Sequence, residues 1–277
     1  MRRILILVDK QDEYEHINYL IKEFAGLWRG EGMRVDVQYG PAGRVEADLA
    51  ILHLDRTIIP AVYLRFAARH AKTINGRVGD ISKRRISRQI VRPADGFTGA
   101  VIVKTNRNFR GVAEAKNALK KSGLARRLHK WRKKLPWEWH SDMPEYRVFS
   151  SPSEVPAGVW WNRDLVVERL LSERSGGFHC LRTWTFLGDR ETHSLSYSAE
   201  PIVKSENVVK REPLGEVPPA LRHTRGELGF DYGKFDYAIV DGEVVLYDAN
   251  RTPALGFLTE GFKAAIPLLA AGIRYYL

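Results

Sequence analysis

The chain has 277 residues, 44% of them hydrophobic, with a formal net charge of +11 and one cysteine, Cys180. That length can bury a real core as one large domain or two to three lobes. A single cysteine excludes an intrachain disulfide and a cysteine-based zinc site, as in a reducing compartment. No apolar run approaches the roughly 18 residues of a membrane span, and Met1-Arg2-Arg3 followed by ILILV is short for a signal peptide, so no membrane partner and a cytoplasmic location are expected.

The charge is local. Nine lysines and arginines and no acid fall between Lys116 and Lys134. A stripe of this kind points to an acidic partner for one segment, whereas a basic field over the whole molecule would point to a general polyanion binder; a solvated face is the ordinary alternative.

In chain order, Arg3 to Val8 reads as a buried strand and Tyr14 to Trp28 as a helix with Ile17, Leu20, Ile21 and Phe24 along one side. Val35, Val37 and Tyr39 alternate as a second strand, and Ala47 to Leu54 forms a third. A helix runs from Pro60 through Ala71, and a short strand lies near Thr73 to Asn75. This order predicts a small Rossmann-like lobe, and the missing GxGxxG after the first strand argues against a dinucleotide site there.

Asp80 to Val91 is expected as a basic helix capped by Asp80 or Ser82, carrying Lys83, Arg84, Arg85 and Arg88. Gly99 to Asn106 is an apolar strand ending in Lys104, which must find an anion or snorkel. With the loop behind it, Lys104 would hold nucleotide phosphates while backbone N–H groups and Arg107 or Arg110 cover them. Val112 to Leu135 has helical spacing with a break at Ser122-Gly123, and Pro136 with the WEW run at 137–139 ends it. Such a basic helix with aromatics suits a nucleic acid, an acidic protein or a membrane surface, or simply solvent.

Tyr146 to Ser150 and Asp164 to Leu171 are strands, the second holding Glu168, a carboxylate that needs a donor. His179 to Leu187 and Thr192 to Ser198 form an antiparallel pair around Gly188-Asp189, with Arg182 and Trp184 on one face. Pro201 to Pro213, with Lys204 and Lys210, reads as a polar loop. Val217 to Leu228 is a helix closed by Gly229, and Phe257 to Leu277 a terminal helix. No HxxxH or HExxH spacing supports zinc, and Cys180 is expected as a buried strand residue.

Between the last two helices lies KFDYAIVDGEVVLYDANRTP, Lys234 to Pro253, a hairpin around Asp241-Gly242. A two-residue turn would pair Asp236 with Tyr247 and leave Asp248 on the other face. A three-residue loop, Val240 to Gly242, would put Asp236, Asp248 and Asn250 together, and this arrangement is expected. Two carboxylates and an amide oxygen on one face suit a hard cation such as Mg²⁺; the alternative is an ordinary hairpin with solvated acids.

A strand lysine with its loop, the strand DLVVERLL and a late hairpin with Asp, Asp and Asn occur in an order that resembles the ATP-grasp superfamily over roughly 80–256. The resemblance is greatest to the D-alanine–D-alanine ligase-like branch, where a basic residue stands two before the first metal carboxylate, as Lys234 does. It implies an α/β protein, α+β toward its end: a Rossmann-like lobe at 1–79, a central grasp lobe at 80–170 with a basic insertion at about 116–145, and a C-terminal grasp lobe at 171–277. The two α+β lobes of this fold clasp the nucleotide.

The same resemblance implies the site. Lys104 would contact the α- and β-phosphates, with Lys83 or a neighbour an earlier nucleotide-facing cation and Lys204 a further one. Glu168, Arg169, Leu170 and Leu171 would form the hinge that meets adenine, and Glu173 would reach the ribose. Asp236, Asp248 and Asn250 would hold one or two Mg²⁺, or Mn²⁺. Lys234 or Arg182 would steady the transferring phosphoryl group, and Arg251 would orient an anionic substrate. Departures from the pattern are Asp248 where glutamate is usual and a glycine-poor loop after Lys104.

The reaction implied is ATP-dependent activation of a small-molecule or peptide carboxylate as an acylphosphate, attacked by an amine or thiol. Its barrier falls mainly through positioning and charge neutralisation. Competing readings are a phosphotransferase of the same fold and a binding protein for nucleic acid or an acidic partner that uses the basic helix at 116–134.

Overall fold

The computed structural model describes residues 1–43, 45–108, 123, 127, 131, 135–139, 145–256 and 259–277. The basic stripe at 116–134, including Lys130, Lys133 and Lys134, and Arg110 lie almost wholly outside these residues. Of the expected Val112–Leu135 helix, Gly123, Arg127 and Trp131 are described and helical, Gly123 falling where a break was expected. The chain forms two compact units, one of Met1–Asp55, Ile59–Gly79 and Ser172–Leu277, the other of Arg56–Ile58 and Asp80–Leu171.

The first unit begins with a parallel sheet, β1 (Arg3–Val8), β2 (Arg34–Tyr39), β3 (Leu49–Leu52) and β4 (Thr73–Ile74), in the order β2-β1-β3-β4. Its central strands are nearly all apolar because both faces are covered, as parallel sheets require. Helix α1 (Leu20–Gly30) buries Leu20, Ile21, Phe24 and Trp28, worth roughly 1.5–3 kcal/mol per large side chain. It starts later than the expected Tyr14, because Tyr19 pairs with Ala254 and the Leu20 N–H donates to the Pro253 carbonyl (2.9 Å). Helix α2 (Ala61–Ala67) covers the other face.

The second unit holds a three-stranded antiparallel sheet of β5 (Val101–Thr105), β6 (Arg147–Phe149) and β7 (Leu165–Arg169), in the order β6-β5-β7. The helix expected over Asp80–Val91 is only α3 (Lys83–Ile86). Past it the backbone turns to β7: Val91 N donates to Val167 O (2.8 Å) and Arg169 N to Gln89 O (2.9 Å), and a helix cannot make these pairings. Helix α4 (Ala157–Trp161) packs Val159 against Val101, Val103 and Val167.

The first unit continues as a six-stranded sheet, β8 (Glu173–Ser175), β9 (Phe178–Leu187), β10 (Arg190–Ser198), β11 (Lys210–Pro213), β12 (Tyr232–Val240) and β13 (Glu243–Asn250). Its order is β11-β10-β9-β12-β13, with β8 on β9. β11 falls where a loop was expected; it is a short edge strand ended by Pro213, which cannot donate to a ladder. Helix α5 (Pro219–Leu228) is capped by Gly229 at φ 74°. Helix α6 (Glu260–Ala270) starts at Thr259, whose hydroxyl accepts from Phe262 N, and gives way to a 3₁₀ turn over Ala271–Tyr275. Leu187, Tyr232 and α6 share a core with β1 and α1, tied by Trp28 Nε1 donating to Ala270 O (2.9 Å). Among the described residues no helix is long and apolar enough to cross a membrane.

Candidate active site

The β12–β13 hairpin turns on two residues, Asp241 at φ 52° and Gly242 at φ 81°, the left-handed pair of a tight hairpin turn. The expected three-residue loop is therefore incorrect. Its consequence is nevertheless reached by another device: Tyr237 pairs with Leu246 but Asp236 pairs with Asp248, so Tyr247 is an extra, bulged residue. Lys234 then pairs with Asn250, and because side chains alternate, Lys234, Asp236, Asp248 and Asn250 share one face. The same registers add Thr183 and Thr185 from β9, Thr192 and Ser194 from β10, and Arg211 from β11.

On this face Lys234 Nζ lies 2.9 Å from Asp236 Oδ2, and Thr183 Oγ1 donates to Asp236 Oδ1 (3.0 Å). Burial opposes the Lys234 charge, but Asp236, with Asp248 beyond it, outweighs burial and raises the ammonium pKa. Asn250 Oδ1 accepts from Thr252 N (2.9 Å). Carboxylates opposed across an antiparallel pair repel, and Lys234 offsets part of that repulsion. Among the described residues no three His, Cys, Asp or Glu side chains gather into a metal cluster. The oxygen donors that share this face are two carboxylates and an amide, all hard oxygens, a set whose chemistry fits Mg²⁺ with its remaining positions left to water or phosphate.

Arg182 and Arg251 take other positions. Arg182 pairs in register with Tyr237, one residue off from Asp236, and so faces the opposite side of the sheet. There it grips Glu173 with two nitrogens (2.7 and 2.8 Å), a bond that holds its pKa up, and Glu173 also accepts from Ile239 N (2.8 Å). The two are brought together as a partly buried ion pair that fixes β8 to β9 and β12. Arg251 is fully buried and donates to the Val78 carbonyl, away from any open surface. Lys204 is exposed, 3.8 Å from Glu206.

In the second unit Lys104 and Glu168 meet as a buried pair at 2.7 Å. Glu168 Oε1 is buried and has no hydrogen-bond partner among the described residues. Lys83 is buried at the start of α3. Arg169, stacked on Phe97 at 5.0 Å, is followed by Leu170, whose N–H is held by the Ala100 carbonyl (2.9 Å), and by Leu171, where this unit ends. Arg107, expected over the phosphates, pairs with Asp164 at 3.1 Å.

Beside Lys234, and wholly within the first unit, lies a cavity of about 720 Å³. Thr183, Thr185, Thr192 and Ser194 form one wall, and Leu20, Leu255, Phe262 and Ala265 contribute an apolar one. Arg211 also lines it. Sequence reasoning missed Arg211 because it read β11 as a loop, and KREP, three charged residues and a proline, carries no apolar alternation to mark a strand.

No protein-family model matches the sequence, and no curated protein matches it. Solved structures do match in fold. The chain is similar over 100% of its length to 96% of D-alanine–D-alanine ligase from Bacillus anthracis, at a TM-score of 0.52 and 10% identity. It is also similar, over 99% of both chains, to a RimK-domain ATP-grasp protein from Sphaerobacter thermophilus DSM 20745 (TM-score 0.47, 11% identity). A third is the ATP-grasp ligase PsnB complexed with minimal precursor, over 100% of both chains (TM-score 0.47, 11% identity). The chain has the ATP-grasp fold.

Proposed function

We propose that this protein is an ATP-dependent ligase that converts a substrate carboxylate into an acylphosphate for attack by an amine. The observation that carries the reading is the bulged hairpin that gathers Lys234, Asp236, Asp248 and Asn250 on one face of an ATP-grasp fold. In this reading Lys104 takes the inner phosphates, and Glu168 offers its buried Oε1 to the exocyclic amine of the purine. Asp236, Asp248 and Asn250 would hold Mg²⁺, which when bound supplies charge neutralisation to the transferring phosphoryl group. Lys234 lends its ammonium to the same charge, and its bond to Asp236 keeps it protonated. The substrate carboxylate oxygen attacks the γ-phosphorus, ADP leaves, and the amine nitrogen displaces phosphate from the acyl carbon.

The test is ADP release from MgATP with mixed amino acids and short peptides, with hydroxylamine present to trap an acylphosphate as a hydroxamate. ADP together with hydroxamate supports the ligase. A stable phosphoester would assign a phosphotransferase instead, and no MgATP turnover under any of these conditions would overturn the reading.

A further inference from the structure

The cavity beside Lys234 has four charged side chains in its lining, and their pairing sets its character. Glu191 accepts from Arg222 Nη1 at 2.8 Å, Glu212 lies 2.7 Å from Lys210, and Lys234 is matched by Asp236 at 2.9 Å. Arg211 differs: its Nε donates to Ser196 Oγ (2.9 Å), and among the described residues no carboxylate is paired with it. The uncompensated charge of the cavity is therefore one guanidinium, a planar fork suited to a carboxylate.

The walls add two requirements. Thr183 and Thr185 on β9 stand opposite Ser194 and Thr192 on β10; the Thr183 hydroxyl, which donates to Asp236, can still accept, and the other three can each donate and accept, as amide groups do. Facing chemistry comes from Leu20, Leu255, Phe262 and Ala265, which suit aliphatic side chains. The volume, about 720 Å³, lies in the range of roughly 300–1,000 Å³ that encloses molecules larger than one small amino acid. Arg251, expected to orient an anionic substrate, is buried against Val78, and Arg182, expected beside the transferring phosphoryl group, is on the other face with Glu173.

We infer that this cavity binds a short peptide, or the end of a longer one, by its C-terminal carboxylate, with Arg211 holding the carboxylate and the β9–β10 hydroxyls holding the peptide amides. The inference rests on the ligase reading for its chemistry but not for its binding, so the two fail separately.

The experiment is saturation-transfer NMR of the full chain without nucleotide, using a random tripeptide mixture with free C-termini, the same mixture C-terminally amidated, and free alanine. Transfer to the acid mixture is expected, with at least a tenfold weaker response for the amides and for alanine. Arg211→Gln should lose the acid mixture and Arg211→Lys keep part of it. Arg211 is exposed on an edge strand, so both variants should fold. Ala265→Phe, which projects into the cavity from α6, should block binding whatever the peptide's terminus.

Equal transfer to acids and amides, alanine binding as well as the tripeptides, or no binding at all would overturn the inference. So would an Arg211→Gln loss that falls on MgATP affinity and spares the tripeptides. A protein that binds tripeptides as described but no MgATP would keep the inference and sink the ligase reading.

Discussion

Asp236 and Asp248 face one another across the hairpin because Tyr247 is bulged out of the pairing, and the cation that answers them is Lys234, 2.9 Å from Asp236. Removing that cation leaves two opposed carboxylates. Lys234→Met is expected to lower stability by about 1–2 kcal/mol at neutral pH, a figure reduced for partial exposure. Added Mg²⁺ should raise the melting temperature of the variant more than that of the wild type, because the metal replaces the missing charge. Thermal melts with and without Mg²⁺ check this, and equal responses would count against a cation site.

How much of this was legible in the sequence follows from parity. A three-residue loop and a two-residue turn with one bulged residue both add one residue to the second strand, so both bring Asp248 and Asn250 to the Asp236 face. The alternation of Phe235, Tyr237 and Ile239 reveals the strand and the face. It does not distinguish where the extra residue sits, because both arrangements leave the same residues on the Asp236 face. The Asp80–Val91 helix was misread for a related reason: the apolar spacing of Ile81, Ile86 and Ile90 is helical, yet Ile90 and Val91 pair with β7. Arg182 was placed on the correct side of its strand by alternation, but Glu173, which captures it, was visible only as a residue after a strand.

The buried Lys104–Glu168 pair makes a second prediction. Lys104→Met strands a carboxylate that is 3% exposed and has one oxygen with no partner among the described residues, and should cost about 3–5 kcal/mol. Lys104→Met combined with Glu168→Leu should recover a large part of that loss. Urea unfolding of the single and double variants measures it. A double variant no more stable than the single would show that the pair is not what Lys104 contributes.

His53 is fully buried among Tyr14, Tyr19 and Tyr232, and burial pushes its pKa down to about 3. The folded state therefore takes up its proton later than the unfolded chain, whose histidine titrates near 6.5. Stability from this residue is complete above that value and declines as pH falls toward about 3. His53→Phe should flatten the dependence of stability on pH in that window relative to wild type. Unfolding at several pH values reads the difference in slope, and parallel curves would contradict the assignment.

Asp12 shifts the other way. Burial, then the charges of Asp55 and Asp9, raise its pKa to about 6, above the 3.8 of an ordinary aspartate. Its protonated form is favoured by folding, so its contribution is full below pH 3.8 and lost as pH rises through about 6. Asp12→Asn should accordingly stabilise the protein at pH 8 by about 1 kcal/mol and leave it little changed at pH 4. Melting temperatures at the two pH values decide it.

The central claim is that the face carrying Lys234, Asp236, Asp248 and Asn250 binds the metal–nucleotide complex, and calorimetric titration of ATP into wild type and Asp248→Ala tests it most directly. The account predicts that wild type binds ATP only when Mg²⁺ is present and that Asp248→Ala weakens binding at least tenfold. Binding of equal strength in both proteins, binding indifferent to Mg²⁺, or no binding to the wild type would contradict it.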